Sequence, residues 1–127
     1  MKDYEVKIRE SSKELTTKDK IRLKDLSNST NLDTLTKNEG NVIIDVDYYV
    51  ILDIHNVKSK ERPDYQNIVV VDKAGNKFNT GSESFIRSLL DILEELADAG
   101  ETDCQIEVYR KESNNYKGKE FITCSII

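Results

Sequence analysis

No stretch of this chain approaches the roughly 20 consecutive apolar residues that a membrane-spanning helix needs. The N-terminus MKDYEVKIRE alternates charged with apolar residues and carries no apolar block of the signal-peptide kind. The expectation is a cytoplasmic chain with no membrane contact. Cysteine is scarce: Cys104 and Cys124 lie far apart, outside any CxxC pair and without a histidine partner, which argues against a metal site and for two buried, reduced thiols. Phosphate-cradling glycine loops and zinc spacings are missing. The only histidine, His55, stands at a strand end with Asp53 two residues away, and no serine or cysteine has the local signature of a triad nucleophile, so His55 reads as a surface residue. Asp45, Asp47 and Asp53 invite a metal-assisted hydrolysis reading. Polar residues on the solvent side of a strand are the ordinary case, however. The chain is therefore expected to be no enzyme, with no catalytic residue, no metal and no cofactor.

What is present fits one domain, since 127 residues that are 37% hydrophobic supply one modest core. The net charge of −5 is concentrated in one place. Between Ser82 and Glu101 six acids face only Arg87, which accounts for the whole excess and leaves the remainder balanced, with room for locally basic surfaces.

The most informative stretch is Asn41–Asn56, NVIIDVDYYVILDIHN. Val42, Ile44, Val46, Tyr48, Val50, Leu52 and Ile54 fall on even positions and the polar Asp45, Asp47, Asp53 and His55 on odd ones, which is the alternation of one long strand with one buried face. At about 3.3 Å per residue such a strand spans roughly 50 Å, so it is expected to bend and serve more than one neighbour.

Upstream, Tyr4, Val6 and Ile8 alternate with charged residues as an amphipathic strand. From Ser11 to Gly40 the pattern weakens and reads as a partly extended arm. Thr17 can cap a short helix through Asp25, yet Ile21 and Leu23 also alternate like a strand, and SNST at Ser27–Thr30 and Asn38–Gly40 read as loop. Lys18, Lys20, Arg22 and Lys24 form either a basic edge or a solvated face. Downstream, VKSKERPDY holds the only proline and reads as a loop, Ile68–Asp72 and Lys77–Thr80 form a hairpin around KAGN, and Ser82 or Ser84 starts an amphipathic helix with Phe85, Leu89, Ile92, Leu93 and Leu96 on one face. Two more strands follow, with Cys104, Ile106 and Val108 and then Ile122, Cys124 and Ile126 inward. Pairing centred near Asn114 sets Ile106 against Ile122 and Cys104 against Cys124.

Strand, strand, strand, helix, strand, strand is the succession of a five-stranded Greek-key OB-fold barrel with one α-helix between strands 3 and 4. In this reading residues 41–127 are the barrel and residues 1–40 an N-terminal strand and arm extension of the same domain. The OB architecture places ligand across strands two and three, flanked by the first-to-second and fourth-to-fifth strand loops. The first loop carries Lys58, Lys60 and Arg62 with Tyr65. The second carries Arg110, Lys111, Lys117 and Lys119 with Tyr109 and Tyr116. Cations that track phosphates, interleaved with rings on which bases stack, are what sequence-tolerant single-strand binding requires. Outward strand positions add Tyr49, Ile51 and Phe121, apolar groups explained either by base stacking or, for Tyr49 and Ile51, by burial under the N-terminal arm.

The ending NYKGKEFITCSII, together with TGSESF at the helix entry, resembles the small single-stranded-DNA-binding proteins of phages and mobile elements of Gram-positive bacteria. The resemblance spans roughly Asn41 to Ile127. It implies an OB-fold protein that coats single-stranded DNA in replication or recombination in the bacterial host cytoplasm, as a homodimer or higher oligomer, beside other replication or recombination proteins. Cellular single-strand-binding proteins end in an acidic tail that recruits partners, whereas this chain stops in strand residues, which puts tail-mediated recruitment in doubt. The competing expectation is a mobile-element protein-interaction module, an adaptor or inhibitor whose acidic helix presents a DNA-like row of charge.

Overall fold

The computed structural model describes residues 4–58, 63–113 and 118–127. In chain order the elements are β1 (Tyr4–Ser11), α1 (Thr17–Lys24), a 3-10 turn (Leu26–Asn28), β2 (Thr30–Asn31), α2 (Leu32–Glu39), β3 (Val42–Asn56), β4 (Asp64–Asp72), β5 (Lys77–Thr80), α3 (Glu83–Asp98), β6 (Cys104–Glu112) and β7 (Glu120–Ile126). The protein is mainly β: seven strands form one sheet, curled into a half-barrel, in the order β2-β5-β4-β3-β6-β7 with β1 also on β3. From Asn41 onward the order of elements is the expected one. The sheet holds two further strands from the N-terminal region, and β5 and β7 do not pair with each other among the described residues.

β3 organises the sheet because it is long enough to hold three partners. One edge carries β4, from Val46 to His55. The other edge carries β6 along Val42–Val46 and then β1 along Val50–Asn56. The expectation of a bent strand with several neighbours holds, but that of one buried even-numbered face does not. Val46 lies opposite Asp72 and Tyr48 opposite Val71, so β3 carries an extra residue, a β-bulge, and alternation resumes in the opposite phase. Ile44 and Val46 face the core beneath α3, as do Tyr49 and Ile51 beyond the bulge, whereas Tyr48, Val50, Leu52 and Ile54 face the other side.

The sheet therefore has a core on each face. Phe85, Ile86 and Leu89 of α3 pack with Ile68 and Val70 of β4 and with Ile106 and Ile122 on the concave face. On the convex face Leu23 of α1, helped by Leu15 and Leu26, covers Val50, Leu52, Val69 and Val71. All four residues from Ile68 to Val71 are buried, which is why the run is continuously apolar.

The N-terminal region is more helical than its sequence suggests. Thr16, one residue earlier than expected, caps α1 in a reciprocal box with Asp19: Thr16 Oγ1 accepts from Asp19 N at 3.1 Å, and Asp19 Oδ2 accepts from Thr16 N at 3.2 Å. Asn31 caps α2 by accepting from Thr34 N at 3.0 Å, and Gly40 ends it at φ +82°, a conformation open to glycine at little cost. β2, two residues long, covers part of the β5 edge in parallel.

The hairpin turn and α3 match their expected places, but β4 begins at Asp64, four residues before the expected Ile68 and inside the stretch expected as loop, because Asp64–Asn67 pair with Leu52–His55 of β3. Asp72 Oδ1 accepts from Ala74 N and Asn76 N to close the β4–β5 turn, and Ser82 Oγ caps α3 at Phe85 N, 3.3 Å away. α3 also ties to β7, because Ser82 Oγ donates to Ile122 O at 3.1 Å and Ser88 Oγ lies 2.9 Å from Thr123 Oγ1. In β6–β7 the register differs from expectation: Val108 opposes Cys124, Ile106 opposes Ile126 and Arg110 opposes Ile122. The displacement is an even number of residues, so every side chain keeps its face. Cys104 instead lies opposite Val46, and Ile126, expected inside, is 49% exposed.

Candidate nucleic-acid interface

The inward positions of β6, Cys104, Ile106 and Val108, are buried, so Tyr109 and Lys111 project from the opposite, convex face. Register sets Tyr109 against Thr123 and Lys111 against Phe121. Phe121 therefore shares that face. Tyr109 and Phe121 are half-buried and pack against neither hydrophobic cluster. The Tyr109 hydroxyl and Ser125 Oγ are hydrogen-bonded at 3.0 Å, which lays the ring across the two-stranded ribbon. Lys111 and Lys119 are exposed beside the rings, and Ser113 N donates to Lys119 O at 2.8 Å, closing the base of the β6–β7 connection. Two rings and two lysines on a narrow ribbon can stack unpaired bases while cations follow the phosphates.

The other expected contacts are placed elsewhere. Tyr49, beyond the bulge, packs on the concave core rather than projecting outward, and the N-terminal segment holds it through Glu10 and Ser12. Its hydroxyl donates to Glu10 Oε2 at 2.5 Å, and burial, then that carboxylate, pushes its pKa up to about 12. Ile51 is buried in the same core. Arg110 projects from the concave face, the reverse of Tyr109: Nη1 donates to Asp33 O at 3.1 Å and to Thr36 Oγ1 at 3.4 Å, and Nε lies 3.4 Å from Glu120 Oε1. It fastens α2 to the β6–β7 ribbon and is spoken for. Tyr65 packs on the convex core, and exposed Lys58 follows β3 at the end opposite to that where β6 continues past Val42. The two loops expected to flank one trough thus leave opposite ends of β3. Lys60, Arg62, Tyr116 and Lys117 lie outside the described residues. The outward face of β4, one of the two strands of the expected ligand surface, lies partly beneath α1 and the 3-10 turn, since Leu23 and Leu26 sit on Val69 and Val71.

Some features escaped the sequence. A cleft of about 1160 Å³ opens between α3 and the polar end of the concave face, lined by Lys7, Arg9, Asp53, His55, Gln66 and Arg87 among others. His55 Nδ1 meets Asp64 Oδ1 at 2.6 Å, a cross-strand partner set by register and not the Asp53 that is near in sequence. Arg9 Nε donates to Asp53 at 2.9 Å, which holds that carboxylate below its ordinary pKa. Near the same sheet end, Tyr4 is 51% exposed, its pKa raised by partial burial and then by neighbouring Tyr65. The only available signal for these pairings was register, which a bulge makes hard to count.

Asp45 is drawn to Lys73 at 3.7 Å, and Lys73 in turn to Asp103 at 3.0 Å. Among the described residues no three His, Cys, Asp or Glu side chains converge as metal ligands. Both cysteines are buried free thiols; burial raises both pKa values, that of Cys124 to about 12. No described helix is long and apolar enough to cross a membrane. Comparison with protein-family models, curated proteins and solved structures finds no match.

Proposed function

We propose that the chain binds single-stranded DNA with little regard to sequence, through the convex face of the β6–β7 ribbon, as an OB-like protein coating DNA in replication or recombination. The observation that carries the reading is Tyr109 and Phe121 on one outward face, outside both cores, with Lys111 directly opposite Phe121. An apolar ring on a solvent face needs a partner, and a base is one that tolerates any sequence. The OB assignment rests on connectivity. Of the five strand pairs of that barrel, four are formed, β3–β4, β4–β5, β3–β6 and β6–β7, while α3 is bonded to the β7 edge where the fifth pair would run. OB barrels are commonly partly open.

Relative to the expected trough, the site has moved to the other half of the sheet, because the N-terminal extension occupies the convex face of β4. A second reading, an interaction module without DNA binding, draws on the exposed acids Asp91, Glu94, Glu95 and Asp98 of α3. Titrating a fluorescent oligo-dT with the protein at two salt concentrations separates the two. Single-strand binding gives an anisotropy rise that weakens as salt increases; the interaction-module reading gives none.

A further inference from the structure

Charge is segregated between two helices of this acidic chain. α1 carries Lys18, Lys20, Arg22 and Lys24 against Asp19 alone, whereas α3 carries five acids against Arg87. Leu23 and, in part, Asp19 turn toward the sheet, and Ile21 turns away at 65% exposure with all four cations exposed around it. Of those cations Arg22 has an ion-pair partner, Asp19 at 3.7 Å, and none is recorded for the other three among the described residues. An isoleucine ringed by lysines is an apolar knob with a positive collar.

The matching socket lies at the β3 bulge. A groove of about 540 Å³ runs between β3 and α3, floored by Val46, Tyr49, Leu90 and Leu93 and rimmed by Glu10, Asp47 and Glu94; the nearest cation recorded is Lys13, whose Nζ stands 4.7 Å over the ring of Tyr48 at the margin. Floor and rim complement the knob in both polarity and charge. α1 cannot fill its own groove. Its Leu23 is packed on the convex core, whereas Val46, Tyr49, Leu90 and Leu93 of the groove belong to the concave one, and Ile21, about 200° around the helix from Leu23, faces away from both.

We propose that this groove receives α1 of a second copy of the chain, with Ile21 against Leu90 and Leu93 and the α1 lysines over Glu10, Asp47 and Glu94. This self-association does not depend on the single-strand reading. The test is light scattering after size-exclusion chromatography, over a wide range of protein concentration, of the wild type, Ile21→Ala, the α1 reversal K18E/K20E/K24E, the groove reversal D47K/E94K, and all five reversals combined. Circular dichroism verifies that each is folded. The wild-type mass rises above 14.6 kDa with concentration. Ile21→Ala and either reversal alone weaken association by about tenfold or more, and the combined variant recovers it. A wild type that keeps the monomer mass throughout overturns the proposal, as do reversals that associate like wild type. A parallel oligo-dT titration covers the competing role: an α1 reversal that loses DNA affinity with unchanged mass makes α1 a polyanion contact and overturns the proposal too.

Discussion

Opposite faces of one strand separate the roles of two adjacent residues, Tyr109 and Arg110. Removing the Tyr109 or Phe121 ring is expected to cost about 1–3 kcal/mol of oligonucleotide affinity each, with the salt slope nearly unchanged, because stacking is lost and no phosphate contact is. Arg110→Ala is expected to do the reverse. It strips hydrogen bonds from Asp33 O and from Thr36, which is 3% exposed, so it should lower unfolding free energy by about 1–3 kcal/mol in a urea titration and leave affinity intact. An affinity loss in Arg110→Ala matching that in Tyr109→Ala would put both on the ligand. Sequence alternation assigned Tyr109 and Phe121 to the outward face correctly. The sequence put Arg110 among the loop cations because a charged inward position near a strand's end looks like the start of a loop until the helix packed against it is known.

At the scale of elements, the N-terminal cover determines which half of the sheet is open. Leu23, 2% exposed, is its main anchor. Leu23→Ala should destabilise the protein by about 2–5 kcal/mol in urea and speed hydrogen exchange of Val69 and Val71 beneath it; protection unchanged at those amides would mean the cover is held by something else. Two carboxylates also secure the cover. Hydrogen bonding with Thr16 lowers the pKa of Asp19, and hydrogen bonding from Ser27 lowers that of Asp25, from an ordinary 3.8. Groups with depressed folded pKa values stabilise the fold above the ordinary value and lose that contribution as pH falls through the folded one. Exchange in α1 and the 3-10 turn should therefore accelerate as pH drops below 3.8, after correction for intrinsic rates. Protection that is flat across that window would contradict the assignment. The α1 cap was within reach of the sequence, as Thr16 and Asp19 have capping-box spacing, but α2 has eight residues and a weak apolar face, so local pattern did not separate it from loop.

For the molecule as a whole, order of elements was legible and phase was not. Strand, hairpin turn, helix and final strand pair fall where alternation and turn chemistry put them, except that β4 starts at Asp64 rather than Ile68. The bulge after Val46 inverts the second half of β3, and nothing in the run of alternating residues announces it, because Tyr48–Ile51 is apolar at every position and fits either phase. That inversion buries Tyr49 and Ile51 under α3 and commits Tyr48, Val50 and Leu52 to the α1 side, which in turn moves the open surface to β6–β7. The most direct test of the account is a two-dimensional NMR titration of the isotope-labelled chain with oligo-dT. The account predicts that the largest shifts fall on Tyr109, Lys111 and Phe121 and their strand neighbours, with the amides of Val69 and Val71 beneath α1 little changed. Shifts concentrated on Val69, Val71 and α1, with the β6–β7 ribbon silent, would contradict it.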